Sequence, residues 1–298
     1  MPYAGPCDDP AVQDIAIYLR PEANGIKVES TILKNIHDND AYKKALRIVY
    51  LANLPGDFIV ANHVIEEHYD VKIRFARLGR LAFTEAMKRE FTDCFGLPFE
   101  DASVLGAFEA LEKLGLSAEE LFRVWVPAEH FTKIRRQSVK RYDGHFIVNY
   151  DIPALLRKNS DDTDIFSMII RSYLPYREFH RLINAINHAL EEERIISNPG
   201  LYSHVFHYSK GPFEQILDGI GYLYEDERRH VEPDDMSFFR FLLERGIDRE
   251  QISEAIHNPI MLFRMPDGTE REMHLFEYTF EDAFPQALEK FSRRIPPS

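Results

Sequence analysis

Apolar side chains in this sequence repeat with two periods that follow no regular alternation. Phe179, Leu182, Ile183, Ile186 and Leu190 fall three and four residues apart, the stripe of an amphipathic helix. Phe213, Ile216, Leu217 and Ile220 form a second stripe of the same kind. Ile15, Ile17 and Leu19 instead alternate, as in a strand with one face covered. Strict strand–helix alternation would build a doubly wound parallel sheet, and this chain lacks it. The expected class is therefore α+β: mixed helices with short antiparallel hairpins, and a helix-rich second half.

The same periodicities place further elements. Asn24-Gly25 is a tight-turn dipeptide, so Ile26 and Val28 are expected to form the return strand of a hairpin from Ile15–Leu19. A helix opening at Asp9, with Pro10 in its first position, competes for those residues. Val71, Ile73 and Phe75 alternate with Lys72 and Arg74 and are expected as a strand with a basic wet face. Strands are also expected at 146–148 and 166–170, and a hairpin at 260–278 around Pro266-Asp267-Gly268. Asp40 is expected to cap a helix running through Val49, and Asp101 one running to Leu114 and ended by Gly115. Ser117 and Glu120 make a capping box. Short helices at 237–244 and 249–257 join through Gly246.

The length of 298 residues suits one large or two medium domains. The formal charge of −13 divides into −2 over residues 1–158 and −11 over residues 159–298, with a polar stretch at 157–164 between them. These halves are the expected regions: a near-neutral α+β part with two basic clusters, and an acidic, mainly helical part ending in a β-hairpin, together forming one domain or two. An acidic chain repels phosphate backbones at long range, so no nucleic-acid partner is expected. Two cysteines, Cys7 and Cys94, make no disulfide framework and suit a reducing compartment. The opening residues lack a signal-peptide pattern, and no apolar run reaches the 18 or so residues of a membrane span. A cytoplasmic location without a membrane partner is the expectation.

Chemistry-bearing motifs are scarce. The sequence contains no G-x-G-x-x-G, P-loop, G-x-S-x-G or H-E-x-x-H pattern, and no cofactor is expected. His63, Glu66, Glu67 and His68 supply too few ligands on one helix face for zinc. Glu227–His230 and Glu254–His257 have the Glu-x-x-His spacing of di-iron bundles but lack the other two helices, so no metal site is expected. Leu242, Gly246 and Ile252 have helix-turn-helix spacing, with too few basic residues on the second helix to read a groove.

Two stretches remain as candidate sites. His204, His207, Ser209, Lys210 and Gly211 precede Pro212, which suits the first position of a helix. A helix N-terminus flanked by Lys, Ser and two histidines has the donors to hold a phosphate or carboxylate, with acid–base groups beside it. Arg135, Arg136, Lys140 and Arg141 are the densest basic run and the expected surface for a protein partner. The leading functional expectation is a non-catalytic binding or regulatory protein. The alternative is an enzyme acting on a small anionic or phosphorylated substrate at the His/Ser/Lys helix N-terminus.

Overall fold

The computed structural model describes residues 1–20, 25–195, 205–226 and 229–296. The chain begins with β1 Gln13–Leu19, α1 Ile26–Asp38, α2 Asp40–Ala45, β2 Leu46–Leu54, α3 Gly56–Ala61, α4 Val64–His68 and α5 Asp70–Leu78. Next come α6 Glu85–Phe95, β3 Val104–Gly106, α7 Ala107–Leu114, α8 Ala118–Arg123, β4 Phe131–Ile134, β5 Gln137–Tyr142 and β6 His145–Val148. Then follow α9 Ile152–Lys158, β7 Ile165–Ser172, α10 Tyr176–Glu192, β8 Phe206–Tyr208, α11 Pro212–Tyr222, β9 Tyr224–Asp226 and β10 Arg229–His230. The last elements are α12 Ser237–Leu243, α13 Arg249–His257, β11 Ile260–Arg264, β12 Glu270–His274, α14 Leu275–Tyr278 and α15 Phe284–Phe291. The class is α+β. Among the described residues no helix is long and apolar enough to cross a membrane.

Two four-stranded sheets organise the molecule. The first has the order β2-β7-β1-β8 and is antiparallel throughout. Ile15, Ile17 and Leu19 of β1, with Met168 and Ile170 of β7, meet α1 and α10 on one face. Ala16 and Ile169 face the opposite side, against the core built by α11, α12, α13 and α15. Both faces are covered, which is why β7 reads as a nearly continuous apolar run, broken only by Ser167 before Arg171, instead of an alternating one. The sheet interleaves strands from the near-neutral and the acidic halves. The outer edge of β2 is covered by residues 1–4: the Leu51 N–H donates to the Met1 carbonyl and the Ala4 N–H to that of Val49.

The second sheet has the order β3-β6-β5-β4, with β3 parallel to β6. Helix α5 packs on β3 through glycines. A Cβ on Gly106 would lie 2.2 Å from the Ala76 carbonyl oxygen, so only glycine permits this approach.

Several expectations are corrected here. Residues 71–75 are helical, not a strand. Val71 and Phe75, four apart, pack in one cluster, while Ile73 and Ala76 pack in another. A helix buried on both sides places apolar residues at every second position and imitates a strand. Ile26 and Val28 begin α1, whose buried stripe is Val28, Ile32 and Ile36. Asn24 lies outside the described residues. Asp9 closes only a turn, accepting from the Ala11 N–H at 3.0 Å. The helix from Asp40 ends at Ala45, because Leu46 onward pairs with β7. The helix expected from Asp101 starts at Ala107, because Val104–Gly106 pair with β6. The capping box of Ser117 and Glu120, the Gly115 stop and both stripes form as expected. The C-terminal hairpin forms as β11–β12, but residues 275–278 turn into α14.

A buried ion pair ties three parts of this frame. Arg171 of β7 donates from Nε to Asp14 Oδ1 at 2.7 Å and from Nη2 to Oδ2 at 2.8 Å. Asp14 Oδ2 also accepts from the Ser237 hydroxyl at 2.6 Å and from Tyr3 at 3.0 Å. Removing one member strands the other charge in a poorly hydrated place. Asp14→Asn is expected to lower stability by about 3–5 kcal/mol, read from the urea midpoint at pH 7. The exposed Arg229–Glu225 pair provides the control, since Glu225→Gln changes stability by less than about 1 kcal/mol.

Candidate active site

Helix α11 places two carboxylates and an amide out of water. Its sequence is apolar apart from Glu214, Gln215 and Asp218, and all three are buried. Glu214 and Asp218 are one turn apart and share a face. That face looks into a cavity of about 120 Å³ lined from β1, the β4–β5 turn, α4, α5, α11 and α14. The volume is several times what one water requires.

Asp218 is fully buried and organises one wall. Its Oδ2 accepts from the Ser209 hydroxyl at 2.6 Å and from His207 Nε2–H at 3.1 Å. Ser209 Oγ in turn accepts from the Ala16 N–H at 3.1 Å, so the carboxylate also fixes the end of β8 against β1. Because Nε2 of His207 carries the donated proton, the neutral ring keeps its lone pair on Nδ1. Asp218 Oδ1 has no hydrogen-bond donor and lies 3.6 Å from His68 Nε2.

His68 ends α4 and turns inward. Its side chain is 5% exposed, and burial pushes its pKa down to about 4, against the pull of Asp218. It is therefore a neutral imidazole at pH 7. His68 Nε2 and the Tyr18 hydroxyl share a hydrogen bond of 3.1 Å, and Tyr18 lies 3.3 Å from the Tyr69 hydroxyl. His68 Nδ1 lies toward the Leu217 carbonyl without forming an aligned hydrogen bond. Gly221 makes room for the ring, since a Cβ there would come within 3.0 Å of Nδ1. Tyr18 also stacks on His207, with centroids 4.8 Å apart.

The opposite wall is cationic. Arg136 donates to Glu214 Oε1 at 2.5 Å, and the Lys210 N–H donates to Glu214 Oε2 at 2.7 Å. Burial would raise the Glu214 pKa, but Arg136, His207 and the Lys210 N–H together hold it well below the usual carboxylate range. Arg136 reaches Glu214 from a strained place. Strands β4 and β5 are joined by Arg135-Arg136 alone, at φ 46° and 66°. A two-residue turn of that kind favours Asn-Gly, and left-handed backbone at a non-glycine residue costs about 1–3 kcal/mol.

Lys72 of α5 lines the same cavity. Its ammonium has no hydrogen-bond or ion-pair partner among the described residues, and burial lowers its pKa against the pull of Asp151. Buried Asn149 positions it, donating to the Lys72 carbonyl at 3.0 Å while accepting from the Ser138 N–H. His274 completes the wall. Its Nδ1 accepts from the Phe276 N–H at 3.3 Å, and burial followed by Arg136 drives its pKa down, so a neutral ring keeps its proton on Nε2.

A wider cleft of about 780 Å³ adjoins the cavity. Glu67, His68, Asp70, Leu217 and His257 line both. Among the described residues no group of three or more His, Cys, Asp or Glu side chains is arranged to hold a metal ion.

Of the residues singled out in sequence, His207 lines the cavity, while Ser209 supports Asp218 from behind. Lys210 stacks its ammonium over Tyr208, 5.5 Å from the ring centre, and does not line it. Gly211 backs onto the Thr279 carbonyl, which a Cβ would approach to 2.7 Å. The Lys210 N–H, just before the helix, is taken by the chain's own Glu214. His204 and Glu227 lie outside the described residues.

The basic run disperses. Arg135 pairs with Glu90 at 2.6 Å, Arg136 faces the cavity, and Arg141 lies exposed over Phe146. Lys140 is buried, donates to the Val124 carbonyl at 2.7 Å and has its pKa pushed down to about 8 by burial. It floors a separate surface groove beside Trp125, the sole tryptophan, which is 82% exposed.

Tyr18, Lys72, Asp218 and His274 are not marked as site residues by the sequence, and His68 stands out there only as an insufficient zinc ligand. The one visible signal was the pair of carboxylates four apart within an otherwise apolar helix. Comparison with protein-family models, with curated proteins and with solved structures finds no match for the chain.

The depressed pKa values of His68, His274 and Glu214 set a pH profile. Folding disfavours a proton on His68, so stability falls as pH drops from 6.5 toward about 4. The depressed Glu214 carboxyl adds stability that is present above its ordinary 4.5 and lost as pH falls toward about 2. Urea midpoints measured from pH 8 to pH 3 are expected to fall through both windows. His68→Gln makes the upper window shallower, with the His274 contribution left in it, and Arg136→Gln, which removes the guanidinium holding Glu214 down, flattens the lower.

Proposed function

We propose that this chain is an enzyme of the acid–base type acting on a small anionic substrate in the cavity bounded by β1, α5, α11 and α14. The observation that carries this reading is the convergence of Tyr18, His68, Lys72, His207, Asp218 and His274, drawn from six elements or their flanks, on one buried space. Buried polar groups cost folding free energy unless fully partnered, yet Asp218 Oδ1 is buried without a hydrogen-bond partner, and another lining group, the half-buried Lys72 ammonium, has no ion-pair partner among the described residues. A protein whose task was only to fold gains nothing from that arrangement.

The roles follow from the geometry. Lys72 and the Nε2–H of His274 receive the substrate's negative charge. His207 Nδ1 is the general base, and Asp218 orients the ring and stabilises the imidazolium formed when a proton arrives. Tyr18, hydrogen-bonded to a His68 that stays neutral at pH 7, is placed to return a proton. Arg136 is a positioning residue: it holds Glu214 ionised and away from the bound anion.

Calorimetric titration with inorganic phosphate and with benzoate tests the binding half of this reading. Lys72→Met is expected to weaken whichever anion binds by about tenfold or more, the worth of a charge-assisted hydrogen bond. Lys210→Ala, outside the cavity, is expected to leave that affinity unchanged. Incubation with a panel of carboxylates and phosphomonoesters, followed by proton NMR, tests the chemistry. His207→Asn should abolish any turnover seen while retaining binding. Equal anion affinity in wild type and Lys72→Met rejects the proposal.

A further inference from the structure

The wider cleft differs in character from the cavity it adjoins. Its walls include Phe58, Val64, Ile220 and Tyr224, and its charged residues are Glu66, Glu67 and Asp70, with no lysine or arginine in the lining. Two acceptors on it lack donors. Glu66 Oε2 is buried with no hydrogen-bond partner. His230 Nδ1 donates to the Val231 carbonyl at 2.7 Å, so a neutral ring leaves Nε2 as an acceptor, and that nitrogen is also buried without a partner. Three carboxylates with no lysine or arginine in the lining, and two acceptors to which the protein brings no donor, suit a positively charged donor. No three of these side chains are arranged to hold a metal ion among the described residues, and an organic ammonium, with its three N–H donors, matches acceptors spread along a cleft.

We infer that the substrate has two ends: an anionic group seated against Lys72 and His274, and an apolar body whose ammonium group is held in the outer cleft by Glu66 and its neighbours. The five residues lining both spaces, His68 and Leu217 among them, form the neck across which one molecule extends. An amine-bearing carboxylate or phosphate is the chemical class that matches both ends. This inference rests on the reading of the inner cavity as an anion site.

Titration of the full chain with benzoate, benzylamine and 4-(aminomethyl)benzoate tests it, with hexanoate and 6-aminohexanoate repeating the comparison on a flexible spacer. Each amine-bearing acid is expected to bind about tenfold or more tightly than its amine-free partner. Glu66→Gln should bring that ratio close to one. Lys72→Met should weaken both members of a pair by the same factor, leaving the ratio intact. If the acids bind and Lys72→Met weakens them, but the amine adds nothing in either pair, the two-ended substrate is overturned and the anion-site reading survives. If no acid binds and inorganic phosphate does not either, the anion-site reading fails and carries this inference with it. Benzylamine binding as tightly as 4-(aminomethyl)benzoate, with no effect of Lys72→Met, points to a cation site alone and also overturns it.

Discussion

Two carboxylates buried on one face of a single helix set the terms for everything packed around them. Glu214 and Asp218 sit out of water on α11, where an unpaired charge would cost several kcal/mol. The structure meets that cost from remote parts of the chain. Glu214 takes a guanidinium from the β4–β5 turn and a backbone N–H from the segment before α11. Asp218 takes the Ser209 hydroxyl and the His207 ring, and through Ser209 it is tied to the backbone of β1. Both sheets therefore report to α11. The satisfaction stops one atom short, at Asp218 Oδ1, and that gap opens on the cavity.

The strained turn at Arg135-Arg136 gains its sense from this demand. A hairpin optimised for itself would place Asn-Gly there. Arginine at both positions sends one guanidinium to Glu214 and the other to Glu90 on α6. Local strain is accepted because the ion pairs over-determine the backbone. The glycine contact between α5 and β3 has a parallel effect. It fixes the helix bearing Lys72 against the second sheet, while Asn149 holds the Lys72 carbonyl from β6's end.

Much of the fold was legible because its signals are local. The stripes of α10 and α11, the Ser117 capping box and the glycine stop at Gly115 each depend on residues within a turn or two. The errors arose where burial on two sides erased the usual contrast between wet and dry faces. Residues 71–75 on α5 touch one cluster or the other at every second position, and so imitate a strand. The site was less legible for a related reason. Tyr18 reads as one more apolar residue of an unbroken strand, and Lys72 as one more cation on a wet face. Only topology reveals that β1, α5 and α11 meet around one space, with their residues up to 200 positions apart. Lys210 and Gly211 illustrate the converse: the helix starts at Pro212 as expected, but the N–H just before it, that of Lys210, is taken by the chain's own Glu214.

The exposed position of Trp125 has a consequence for optical work on this molecule. A lone indole that is already surrounded by solvent in the folded state emits at wavelengths typical of water. Its spectrum hardly changes when the distant core of phenylalanines and isoleucines comes apart. Unfolding of this chain is therefore nearly silent in tryptophan emission and has to be followed by circular dichroism or by the buried tyrosines Tyr18, Tyr50, Tyr176 and Tyr222. The same indole is well placed to respond to anything that settles on the groove beside it.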